Sequence, residues 1–258
     1  MPKILALSPK DCQGKSWRMP ADLAHLQHQS LIPLHAGELA KAAASMPLAL
    51  LKQGGKWQLV AVCGQQAQQN LFIKNGEWLG GYQPAFLSSY PFDIVTVGDK
   101  GIATFDEASG LLDMSGQGEA FFDDAGQFMP AVTQRIEVLK DNIGLQHATQ
   151  KAVEALQQAG VIMPWPESIT NSAKLTIQGL HMVDEKALSQ LSDQAFLMLR
   201  AAQALPIAYA LNFSIQQAHL LHRLARLRDY VPDEPKGMDH TVPSFQLLDN
   251  NGTFSFGL

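Results

Sequence analysis

Four glycine-centred turns, each set between apolar runs, constrain this chain more than any other feature. They are "LKQGGKWQ" (51–58), "FIKNGEW" (72–78), "TVGDKGIA" (96–103) and "FDDAGQF" (122–128). A tight reversal between antiparallel strands needs backbone at positive φ, which Gly adopts without strain and Asn adopts more easily than most. The flanks "PLALL", "WQLVAVC", "NLFI", "FDIVTV" and "GIATF" have strand composition. "WQLVAVC" and "DIVTV" are apolar on both faces, so at least one strand is expected to be central. The spacing predicts an antiparallel meander over residues 47–128.

Helical periodicity takes over afterwards. Residues 131–159 carry Val132, Ile136, Leu139 and Ile143 at helical spacing, then a second phase through Ala148, Ala152 and Leu156. Gly144 lies where the phase slips, which predicts a bend or two helices, and Gly160 follows as a C-terminal cap. "KLTIQGLHMV" (174–183) reads as a strand. Asp184 and Ser192 then suit the N-caps of helices, and Pro206 suits a first turn. The last helix is expected to reach about Arg228, with Arg223 and Arg226 complementing its dipole. Earlier, "HAGELAKAAAS" (35–45) is a helix that must end before Pro47. Strands followed by helices give an α+β class: a β meander of the N-terminal half packed against helices from 131–159 and 185–228. The chain is expected to be one domain, 1–258. Residues 229–258 form a C-terminal extension with an Asn-Gly hairpin at 245–256.

Bulk properties narrow the partners. The chain has 258 residues and a net charge of −5, which disfavours nucleic acid and anionic membranes. Cys12 and Cys63 are expected to be reduced thiols, and their spacing implies no zinc site. No segment has the ~18 apolar residues of a membrane span. "MPKILAL" carries a short apolar run, below a secretory h-region, so the expected location is the cytoplasm.

Candidate chemistry concentrates in three places. "GEWLGGYQPAFLSSYPF" (76–92) packs Trp78, Tyr82, Phe86, Tyr90 and Phe92 around Pro84 and Pro91. The simplest reading is a corner whose aromatics plug the core. The functional reading sets Tyr82, Pro84 and Tyr90 in a pocket wall, where a hydroxyl on an apolar body serves binding. "FDEASGLLD" (105–113) sets Asp106 and Glu107 at a strand end. They are read as turn and cap residues or as acid–base groups. Glu38 sits three residues after His35 at a helix start, where the dipole alone accounts for it, and it is the third candidate carboxylate. "SGQGEA" lacks the features of a phosphate loop, GxSxG is absent, and no metal or cofactor site is expected.

The order of motifs then carries a resemblance. "IPLHAGELAKAAASMPLALL", "NLFIKNGEWLGGYQPAFLSSYPF", "DEASGLLD", "GEAFFDDAGQ" and "GLHMVDEKALSQLSDQAFLMLRAAQALPIAYALNFS" together resemble the SapC family over about residues 15–228. That family is bacterial and is named after a surface-layer-associated protein, and no reaction is carried over from it. The resemblance implies company with flavin-dependent halogenase-like proteins, cupin-like oxygenases and TonB-dependent receptors. The expectation is therefore a non-catalytic accessory protein. It would bind a small molecule, or a partner such as a flavin-dependent halogenase-like or uptake-system protein, in bacterial uptake or surface modification. The alternative is an enzyme using Glu38, Asp106 or Glu107 as acid or base. Relatives tend to carry basic residues where Ser88 and Ser89 stand; if that pair binds an anion in relatives, the resemblance implies that this chain binds it less well or binds something else.

Overall fold

The computed structural model describes residues 3–97 and 100–229. Strands β1 (Ile4–Ala6), β2 (Ser16–Trp17) and β3 (Leu31–Pro33) come first. A single turn of 3-10 helix, Ala36–Glu38, leads into α1 (Leu39–Ser45). Two hairpins follow, β4 (Leu48–Gln53) with β5 (Lys56–Val62) and the small β6 (Ile73–Lys74) with β7 (Glu77–Trp78). After the one-turn α2 (Phe86–Ser89) come β8 (Phe92–Val97), β9 (Lys100–Asp106), β10 (Leu112–Asp113) and β11 (Glu119–Ala120). The remainder is α3 (Pro130–Gln158), β12 (Ile162–Pro164), α4 (Glu167–Ser172), β13 (Leu180–Val183), α5 (Glu185–Ser189), α6 (Asp193–Ala201), α7 (Ala204–Ser214) and α8 (Ala218–Asp229). Antiparallel sheets come before residue 130 and helices dominate after it, so the fold is α+β.

The turn chemistry fixes the hairpins. Gln53 pairs with Lys56 across Gly54 and Gly55, whose φ values are +58° and +83°. Lys74 pairs with Glu77 across Asn75 and Gly76, at +53° and +81°. Positive φ at both central residues is the type I′ geometry that matches strand twist. The fourth predicted turn closes a loop between the bridged Phe122 and Phe128, with Gly126 at +76°. The third lies at residues 98–99, and the predicted 245–256 hairpin lies in the C-terminal segment. Both fall outside the described residues.

The strands of 47–128 do not form one meander. They divide mainly between a five-stranded sheet, β12-β13-β4-β5-β3, and a three-stranded sheet, β1-β9-β8, while β10 and β11 flank β2 in a second three-stranded sheet and β6 pairs with β7 alone. The reason is edge completion. The β4–β5 hairpin has two open edges, which β3 and the distant β13 cover. The β8–β9 hairpin has one edge covered by β1.

The five-stranded sheet and the β1-β9-β8 sheet each have their own core, and α3 joins them. The larger core packs Leu48, Leu50, Ala61 and Val62 of the five-stranded sheet against Ile207, Ala208 and Leu211 of α7. The smaller gathers Leu5, Trp17, Phe92, Phe105 and Phe121, with Phe105 edge-on to both Phe92 and Phe121. From α3, Val132, Ile136 and Leu139 enter the smaller core, while Ala152, Val153 and Leu156 enter the larger. Thus the phase slip at Gly144 is a change of core within one continuous helix. The caps fall as the sequence predicts: Asp184 accepts from Ala187 N–H, Ser192 from Ala195 N–H, and Gly160 follows α3 at φ +69°.

Candidate functional site

The aromatic run is the corner by which the chain leaves the larger core for the smaller one. Trp78 stacks on Phe72 at 5.2 Å between centroids, and its indole N–H donates to the Tyr82 carbonyl at 2.7 Å. A Cβ at Gly80 would stand 2.7 Å from the Trp78 indole nitrogen, so glycine is what lets the chain pass. Trp78, Tyr82, Phe86 and Tyr90 pack with the larger core and Phe92 with the smaller. The Tyr90–Pro91 peptide bond is cis.

Each tyrosine of this run meets one of the candidate carboxylates. Tyr82 Oη donates to Glu38 Oε1 at 2.8 Å, and Tyr90 Oη donates to Asp106 Oδ2 at 2.8 Å. Burial, reinforced by the facing carboxylate, raises both phenols well above their ordinary range, so both remain protonated donors. Glu38 is buried and has further donors: Ala85 N–H to Oε1 at 2.8 Å and His35 N–H to Oε2 at 3.1 Å. Asp106 also accepts from Ala108 N–H at 2.9 Å, and Glu107 pairs with Lys3 at 2.9 Å. On its far face Tyr90 stacks against His25, whose imidazole pKa is pushed down by burial, against the opposing pull of Asp22.

Beside Glu38 a cleft of about 350 Å³ opens under the middle of α3. Its wall takes Pro33, Leu34, His35 and Glu38 from the β3–α1 connection and Lys56, Gln58 and Leu59 from β5. Ala85, Phe86 and Ser89 come from the α2 corner, and Asp93 and Ile94 from β8. From α3 come Leu139, Asn142, Gln146, His147, Thr149, Gln150 and Val153. The cleft therefore sits between the two sheets. Desolvation raises the Asp93 carboxyl, partly opposed by its bond from Ile94 N–H at 2.8 Å.

His35 is the unusual member. The side chain is about nine-tenths buried and faces the Glu38 backbone N–H in a capping-box arrangement, yet neither ring nitrogen has a hydrogen bond of good geometry among the described residues. Its Nε2 lies 3.3 Å from Glu38 Oε2, but off the line that a hydrogen bond requires. Thr149 fixes the same wall from α3. Its hydroxyl accepts from Ala36 N–H at 2.7 Å and donates to the Leu145 carbonyl at 2.6 Å.

Of the six candidate residues, Glu38 lines this cleft, and Tyr82 stays outside its wall but bonds to Glu38. Pro84 precedes Ala85 in the corner. Tyr90 and Asp106 form a separate pair, and Glu107 sits at the short turn after β9. Sequence reasoning names His35 only through its spacing to Glu38 and misses Asp93 and the α3 amides. The amides carried a usable signal, since Asn142, Gln146 and Gln150 recur every four residues on a predicted helix.

A second cluster shows what "DEASGLLDMSGQGEA" is for. Asp113 is buried and accepts from Ser16 and Ser115 hydroxyls, Gln117 and Gly118 N–H groups, and Arg18 at 2.8 Å. Burial alone would raise its carboxyl, but these donors hold it well below the carboxylate range. This tie pins β10 and β11 to β2 and lies away from the cleft wall.

No helix among the described residues is by itself long and apolar enough to cross a membrane. Comparison with curated proteins finds no match, and comparison with solved structures finds none either. The SapC family model matches residues 7–221, from β1's trailing loop into α8, and takes in the five-stranded sheet, the β8–β9 hairpin, the aromatic corner and the cleft. The chain belongs to the SapC family.

Proposed function

We propose that this chain is a non-catalytic accessory protein that holds a small molecule in the His35–Glu38 cleft, as a component of a bacterial uptake or surface-modification system. The observation that carries the reading is His35. A buried donor or acceptor without a partner costs about 1–3 kcal/mol, and a ligand group that pairs with it recovers that cost. Here the unpartnered ring lines a cavity of small-molecule size. Glu38 beside it has three donors and serves as a fixed wall. Asp106 and Glu107, the other carboxylates of the enzymatic alternative, have partners of their own. That commitment weighs against routing acid–base chemistry through any of the three. The cytoplasmic location, read from the short N-terminal apolar run, and the link to a flavin-dependent halogenase-like or uptake-system partner, carried by the family resemblance, remain part of the proposal.

A small-molecule library screened by ligand-observed NMR tests the reading. Compounds that bind should do so saturably and unchanged, and His35→Phe should weaken them at least about tenfold. Turnover of a bound compound by the purified chain, abolished by Glu38→Gln, would overturn it.

A further inference from the structure

We propose, building on the binding reading above, that the cleft takes an uncharged polyhydroxylated molecule of sugar type, gripped by a row of carboxamides on α3. Asn142, Gln146 and Gln150 stand four residues apart, which places them on one helix face, and all three line the cleft together with Gln58 of β5. A primary amide offers donors and an acceptor in one plane. Neighbouring ring hydroxyls each offer a donor and lone pairs, so one amide can bond two of them without transferring a proton or desolvating a charge. Gln150 currently donates to Glu154 at 2.9 Å, whereas Gln58, Asn142 and Gln146 make no side-chain hydrogen bond among the described residues.

Charge favours the same class. The lining holds one lysine, Lys56, against Asp93, and Glu38 is already occupied by its three donors. Among the described residues no arginine lines the cleft, so none of them offers it the bidentate fork suited to a phosphate or carboxylate ligand. Phe86, half-buried in the wall, supplies a flat apolar surface for the C–H face of a ring. The unpartnered His35 imidazole, whose ring nitrogens are sealed from solvent as the ring stands, can donate to or accept from a hydroxyl once the ring turns toward the cleft. A volume of about 350 Å³ suits one or two rings rather than a polymer. A peptide backbone is the competing match for amides, but it would leave the aromatic face and the compact shape unused.

The test is calorimetric titration of the full chain with glucose, galactose, maltose and cellobiose. Glucuronate, glucosamine and a capped trialanine peptide serve as competitors, and side-chain amide NMR shifts locate the binding. At least one neutral sugar should bind saturably, with its charged counterpart at least about tenfold weaker. Asn142→Leu, Gln146→Leu and Phe86→Ala should each weaken it by about tenfold or more, with thermal unfolding confirming that each variant is folded. Preference of the cleft for the peptide or a charged sugar overturns the sugar assignment and leaves the binding reading standing. If nothing in the panel moves the cleft amides, the sugar assignment is overturned. The library screen with His35→Phe then decides the binding reading separately.

Discussion

At the scale of single residues, the cleft is defined by polar groups with unequal satisfaction. Glu38 is fully engaged and His35 is not, and the two should respond oppositely to mutation. His35→Phe replaces an unpartnered imidazole by an apolar ring of similar volume. Unliganded stability should be unchanged or higher by roughly 1 kcal/mol in denaturant unfolding, because an orphan polar group is removed. Tyr82→Phe withdraws one donor from buried Glu38 and should lower stability by about 1 kcal/mol in the same measurement. Asp113 makes a pH prediction. Its folded-state pKa lies below the unfolded value of about 3.9, so the folded state binds fewer protons there. Its contribution is present above about pH 4 and is lost as pH falls through the folded pKa. Asp113→Asn should therefore be less stable at pH 7 and should show a shallower acid limb in thermal melts. The residue types at these sites were readable from sequence. Tyr82, Tyr90, Glu38 and Asp106 stood out as groups that need partners, but pairing Tyr82 with a carboxylate 44 positions away is a tertiary fact.

At the scale of elements, the long helix α3 carries the architecture. Its first half serves one core and its second half the other, so its apolar stripe rotates partway along. Periodicity reports which side is buried, not the path of the backbone, and a bend and a change of core leave the same trace. Gly144 distinguishes them. It is exposed, lies in the helix interior, and a Cβ there would meet nothing within 4 Å. Gly144→Ala should raise stability by about 0.5–1 kcal/mol, and a loss would mean that the site needs glycine. Gly76 is the opposite case. It sits at φ +81°, and a Cβ would stand 2.4 Å from the Asp22 carboxyl carbon. Gly76→Ala should destabilise by more than the Gly144 change gains, as read from the shift in unfolding midpoint. The type I′ turns and helix caps were legible because they are written in adjacent residues. Sheet membership was not, because β13 joins β4 across more than a hundred residues.

At the scale of the whole described chain, function rests on what lies between two cores. The fold class could be read from sequence, since strand and helix signals are local and come in separate halves. The cleft could not, since its wall draws on β3, β5, α2, β8 and α3, which meet only when both sheets are in place. The aromatic run, whose simplest reading is a corner that plugs the core, is chiefly the crossing between cores. It lends the cleft Ala85, Phe86 and Ser89 and fixes Glu38 through Tyr82. The most direct measurement of the binding claim is the pair of His35 ring-nitrogen NMR shifts, followed as a compound that binds the chain is titrated to saturation. The account predicts that these shifts move in step with occupancy, as an unpartnered imidazole gains its missing hydrogen bond, and that His35→Phe weakens the same compound. A compound that saturates the protein while both His35 shifts stay fixed, with affinity unchanged in His35→Phe, would contradict it.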